Sequence, residues 1–108
     1  MVKVMWRKTA QNQRTRLLEY IRNEFGIHAA LNAYNIIKHH EVLLSGHPHL
    51  GEVEQLLINK RLEYRSLVIH KYTKLVYYVN EKRGILFIAA LWDTRREPSA
   101  LVRGIHSK

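Results

Sequence analysis

Ile85-Leu86-Phe87-Ile88-Ala89-Ala90-Leu91-Trp92, broken off by Asp93-Thr94-Arg95-Arg96-Glu97-Pro98, is the stretch that decides the fold. An apolar run with no polar face reads as a strand covered on both sides, and so as an interior strand of a sheet. Two alternating runs precede it. In Tyr64–His70, Arg65, Leu67 and Ile69 share one face, with Tyr64, Ser66, Val68 and His70 on the other. In Lys74–Asn80, Lys74, Val76 and Tyr78 oppose Leu75, Tyr77 and Val79. Lys71-Tyr72-Thr73 and Asn80–Gly84 are the turns that join the three strands.

Toward the N-terminus, Val2, Val4 and Trp6 alternate with Lys3 and Met5, which predicts a first strand. Thr9 offers a helix cap, and Ala10, Arg14, Leu17, Leu18, Ile21 and Phe25 then recur at helical spacing. Gly26 supplies a left-handed stop. Ala29, Ala30, Ala33, Ile36, Ile37, His40 and Leu44 predict a second helix after a link of two or three residues, hence an antiparallel helical hairpin. Ser45–Gly51 is a loop. Glu52–Lys60 reads equally as a helical turn or as an irregular packing segment. The expected fold is α+β, ordered β-α-α-β-β-β, with a mainly antiparallel sheet and the hairpin on one face. Residues 1–108 are expected to form one domain.

Composition narrows the function. With 46% apolar and 25% charged residues the chain reads as globular, and without cysteine it has neither a disulfide framework nor a thiolate metal site. No apolar h-region follows Met1 and no run is long enough to span a bilayer, so a cytoplasmic protein with no membrane role is expected. The net charge is +9, unevenly spread. Residues 1–59 hold seven Lys/Arg against five Asp/Glu, while residues 60–108 hold eleven against four. A basic half favours a polyanion or an acidic protein as partner.

Conventional catalytic patterns are missing. His39-His40 and His47-Pro48-His49 lack ligand spacing, so no metal is expected. No nucleophile elbow and no phosphate-cradling glycine cluster occurs, and no cofactor is expected. What stands out is a basic, aromatic surface. Arg61, Arg65, Lys71, Lys74, Arg83, Arg95, Arg96 and Arg103 alternate along the chain with Tyr64, Tyr72, Tyr77, Tyr78 and Trp92. Guanidinium forks grip phosphate or carboxylate, and rings stack on bases or fill an apolar groove. Arg65, Lys74 and the Arg95-Arg96 pair are expected to converge on one side of the sheet. For Tyr64 and Tyr77 taken singly, a core position is the expectation.

The ordered set of motifs resembles the ParE/RelE superfamily of toxins from type II toxin–antitoxin (plasmid stabilisation) modules. The matching pieces are a strand ending in Trp6, Tyr20-Ile21-x-x-x-Phe25-Gly26, His47-Pro48-x-x-Gly51, Tyr64–Val68, Lys74–Tyr78 and Leu91-Trp92-Asp93-Thr94-Arg95-Arg96-x-Pro98. They span about residues 2–103. The resemblance implies a growth-inhibiting basic protein neutralised by an acidic antitoxin from the same operon, in a hetero-oligomer.

Its two branches differ in target. RelE-like members cut mRNA on the ribosome, and Arg65, Lys74, Arg95 and Arg96 match the basic positions of that site. Cleavage by 2′-OH attack needs an acid, a base and cationic stabilisation of the phosphorane. The aromatic or imidazole side chain that such members add after the arginine turn is missing here, where Ala100, Leu101 and Val102 stand, and His106 comes too late. ParE-like members poison DNA gyrase without catalysis, and the Asp93–Pro98 ending resembles theirs. A ParE-type toxin is therefore the first expectation, with a RelE-type endoribonuclease or a non-toxic antitoxin-binding module as alternatives. Arg61, Arg65, Tyr72, Lys74, Tyr78, Trp92, Arg95, Arg96 and Arg103 are the candidate target- or antitoxin-binding residues, and the antitoxin's segment is expected over the basic half.

Overall fold

A computed structural model describes residues 1–105 of the 108; His106 lies outside them. The elements are β1 (Lys3–Trp6), α1 (Lys8–Phe25), α2 (Ile27–Gly46), β2 (Glu52–Val53), a 3-10 turn (Gln55–Leu57), β3 (Arg65–His70), β4 (Thr73–Asn80), β5 (Ile85–Asp93) and α3 (Pro98–Gly104). The five strands form one sheet in the order β1-β5-β4-β3-β2, antiparallel except where β1 runs beside β5. The expected α+β order holds, extended by a two-residue β2 and by α3.

Local chemistry explains most of the boundaries. α1 begins one residue ahead of Thr9, with Arg7 extended at the cap position and no side-chain cap. The Thr9 cap is thus replaced by tertiary anchoring, because Arg7 N–H donates to Ile88 C=O at 2.9 Å and continues the β1–β5 pairing. Gly26 alone links the helices. Its φ of 97° and ψ of 172° lie where a Cβ is disfavoured, and this reverses the chain in one residue instead of two or three.

Two apolar layers sandwich the sheet. On the hairpin side, Ala10, Ile37 and Leu44 meet Ile69, Leu75, Tyr77, Leu86, Ile88 and Leu91. On the other side, Leu57, Leu101 and Ile105 cover Tyr64, Val76, Ala89, Ala90 and Trp92. Cover from both sides is the reason β5 has no polar face. Trp6 Nε1 donates to Glu41 of α2, and Ser45 Oγ donates to Val2 C=O at 2.7 Å, which ties β1 beneath the hairpin.

One irregularity controls the faces. Val76 pairs with Ala90 but Tyr77 pairs with Ile88, so β5 carries an extra residue at Ala89. A bulge of this kind shifts every later side chain to the opposite face. Leu86 and Ile88 therefore point at the hairpin, whereas Ala90 and Trp92, of the same parity, point away from it.

Candidate functional site

The expected convergence of cations forms only in part: Lys74 pairs across the strands with Trp92, over whose ring Arg96 lies, but Arg65 does not join them. Arg65 stands opposite Tyr77 on the hairpin side of the sheet. Lys74 stands opposite Val68 on β3 and Trp92 on β5, on the other side. The alternation of each strand is as read; what separates the two cations is the register, which aligns Arg65 with the odd residues of β4.

Both cations are also engaged. The Arg65 guanidinium donates to Gly51 C=O at 2.8 Å and pairs with Glu63 at 3.1 Å. Gly51 N–H in turn donates to the Tyr77 hydroxyl at 2.9 Å, so Arg65 and Tyr77 together pin the loop after α2. Lys74 Nζ is bound to the Glu54 carboxylate, which is only 7% exposed and also accepts from Leu56 N–H at 3.1 Å. Burial pushes the Glu54 carboxyl up; the Lys74 ammonium, the Leu56 amide and Ser66 outweigh it and hold the group below the usual carboxylate range.

Tyr77 yields a prediction. Burial raises its phenol above the ordinary value, against the smaller opposing pull of the Gly51 amide and Arg65. The folded state therefore holds this proton more tightly than the unfolded chain, a contribution present below about pH 10 and lost as pH rises past it. Tyr77→Phe should cost about 1–2 kcal/mol at pH 7, since a buried N–H loses its acceptor. Urea unfolding at pH 7 and at alkaline pH checks both parts: the variant's deficit should shrink at alkaline pH, and equal deficits at the two pH values would contradict the account.

The Arg-Arg corner does assemble. β5 ends at Asp93, whose carboxylate accepts from Arg95 N–H at 2.9 Å and from the Arg95 guanidinium at 2.9 and 3.1 Å. The Arg95 side-chain and backbone bonds hold Asp93 below the usual carboxylate range. Arg95 lies 4.5 Å from the centroid of the Tyr72 ring and Arg96 4.6 Å from that of Trp92. Thr94 N–H donates to Tyr72 C=O at 2.8 Å, joining this turn to the β3–β4 turn. Pro98 then starts α3.

The remaining candidates make contacts of their own. Arg61 lines a cleft of about 200 Å³ with Glu54, Glu63 and Lys60, and Lys60 donates to Ile105 C=O at 3.1 Å. Arg103, on α3, donates to Ser99 Oγ at 2.9 Å. Tyr78 is stacked on Phe87 with centroids 5.3 Å apart, meets Tyr64 edge-on at 5.5 Å, and accepts from Arg7 at 3.0 Å. Tyr64 and Tyr77 are both core residues.

Sequence reasoning missed an apolar groove between the hairpin and the β3 side of the sheet. It measures about 360 Å³ and is lined by Leu17, Ile21, Phe25, Ala33, Ile36 and Ile69, among others. Phe25 is 68% exposed at its rim. Beyond the two residues that β2 covers, the outer edge of β3 has no paired strand among the described residues. A signal was present in Phe25, a large apolar residue placed directly before the Gly26 reversal.

Comparison with known proteins places the chain. Residues 4–98 match the family described as "ParE toxin of type II toxin-antitoxin system, parDE". The chain belongs to this family. A solved structure described as "Chromosomal ParDE TA system from P. aeruginosa" superposes with a TM-score of 0.68 over 86% of this chain and 96% of that one. Identity is 15%, so that likeness speaks for the fold alone. No curated protein sequence matches the chain.

Proposed function

We propose that this type II toxin acts by binding DNA gyrase in the cytoplasm, without cutting RNA, and that an acidic antitoxin silences it. The observation that carries this reading is the engagement of Arg65 and Lys74 on opposite faces of the sheet. A phosphorane needs cations that converge on one phosphate and are free to meet the charge as it develops. Here one guanidinium braces a loop and the ammonium neutralises a buried carboxylate. The Asp93–Arg96 turn has the opposite character, a preorganised surface of two arginines over two rings, and Arg with Trp and Tyr suits an anchor for a protein partner.

For the antitoxin, the groove beside Phe25 and the β3 edge beyond β2 fit an amphipathic segment that adds a strand or lays an apolar helix face there. Its acidic residues would then meet a chain whose net charge is +9. This shifts the antitoxin's expected position from the basic half alone to the hairpin side.

Supercoiling assays test the reading. Excess protein should inhibit gyrase, stoichiometric antitoxin should restore activity, and Arg95→Ala/Arg96→Ala should raise the inhibitory concentration about tenfold or more, the size expected when an interface anchor of about 2 kcal/mol is lost. Undiminished supercoiling together with codon-positioned transcript cleavage would return the protein to the RelE branch.

A further inference from the structure

Among the described residues, the face of the sheet turned away from the hairpin is only partly covered. α3 and the 3-10 turn close it over Trp92 and Val76. Toward the β4–β5 turn the rings of Tyr78 and Phe87 stack at 26°, half-buried, with Met5 of β1 beside Phe87 in the register and 39% exposed. The guanidiniums of Arg7, which follows β1, and Arg83, in the β4–β5 turn, each lie 5.8 Å from the Phe87 centroid. Next to the rings is a cleft of about 180 Å³, lined by Arg7, Lys8, Thr9, Tyr64, Tyr78 and Ala89, with Gly104 and Ile105 closing it. Among the described residues, none that lines the cleft is acidic.

We propose that this platform binds single-stranded nucleic acid, stacking a base on the Phe87–Tyr78 pair and gripping the flanking phosphates with Arg7, Arg83 and Lys8. Aromatic faces take any base, and guanidiniums on either hand suit a backbone that passes across them. An acidic peptide fits less well. The interior strands of the sheet spend their backbone groups on each other, so a peptide lying on this face, away from any edge, finds no ladder to extend. The platform shares no residue with the apolar groove, and binding to it does not depend on the gyrase reading.

Fluorescence anisotropy with the full chain decides the matter, using labelled oligothymidylate and oligouridylate of about 15 nucleotides and a labelled polyglutamate peptide. Both or either oligonucleotide should bind, and preference between them identifies DNA or RNA as the source. Affinity should fall about 7- to 50-fold between about 50 and about 200 mM salt, as expected for two to four phosphate contacts. Phe87→Ala should weaken binding about 5- to 100-fold, Phe87→Tyr should restore it, and the exposed Arg83→Ala should lower it about threefold or more while leaving the fold intact. Equal binding of polyglutamate and oligonucleotides, undisturbed by Phe87→Ala, would reduce the platform to net charge and overturn the proposal. Absence of oligonucleotide binding by the folded wild-type chain would overturn it as well.

Discussion

Replacing Lys74 by Ala should destabilise the protein by about 3–5 kcal/mol at pH 7, because it leaves the Glu54 carboxylate buried without its counter-ion. A small domain is stable by only about 5–15 kcal/mol, so a large share of the folded population is at stake. The pH dependence has a definite sign. In the wild type the Glu54 carboxyl is held below its ordinary value, so its contribution is present above about pH 4–5 and lost as pH falls through the folded value. Without Lys74, burial favours the neutral acid, and the variant regains stability as pH falls. The gap between the two proteins should therefore narrow from pH 7 to pH 4 in urea unfolding. Restoring balance with Glu54→Gln/Lys74→Met should recover the stability to within about 1 kcal/mol, since removing both charges ends the desolvation cost and Gln keeps an acceptor for the Leu56 amide.

The same pair of variants separates structure from chemistry. If Lys74 serves only to neutralise Glu54, the double variant should match the wild type in the supercoiling assay proposed above. A folded double variant with no toxicity would give the lysine a direct part at the target.

Gly51→Ala should cost about 3 kcal/mol and lower the melting temperature by about 10 °C or more. A Cβ at this position would lie 2.6 Å from the Ser66 carbonyl oxygen and 2.8 Å from the Tyr77 hydroxyl oxygen. Ser66 cannot give way easily, because it is paired with Glu52 on one side and Val76 on the other. Displacing the loop instead breaks the bonds from Gly51 N–H to Tyr77 and from Arg65 to Gly51 C=O. Gly46→Ala is the control: nothing lies within 4 Å of its added Cβ, and the residue is helical. It should be neutral or stabilising by about 0.4–1 kcal/mol. A thermal melt in which the two substitutions behave alike would mean that the loop relaxes freely and is not pinned from β3 and β4.

Phe25 and Arg7 show what the linear pattern hides. Each looks ordinary in sequence, one as the end of a helical period and the other as a charge after a strand. The reversal at Gly26 leaves Phe25 at the rim of the groove, and the parallel β1–β5 pairing brings Arg7 beside Phe87. Neither consequence follows from spacing, because each depends on residues some forty to eighty positions away. Glu54 is the sharper case. It sits in the segment that read as either a helical turn or irregular packing, yet its carboxylate decides what Lys74 can do.

The chain alone determined the elements and their order. Period-two alternation in β3 and β4, the unbroken apolar run of β5, the helical periods on either side of Gly26 and the charge skew toward residues 60–108 are properties of neighbouring residues, and local backbone preference and the demand for burial act on them directly. Only the tertiary structure decided which side chains share a face. The extra residue at Ala89 turns Trp92 away from Ile88, the β3–β4 register parts Arg65 from Lys74, and Gly51 and Glu54 come back to claim those cations. Register and bulge position are set by the best mutual packing of distant segments, so the faces of this sheet, and with them the availability of its charges, exist only once the whole core has closed.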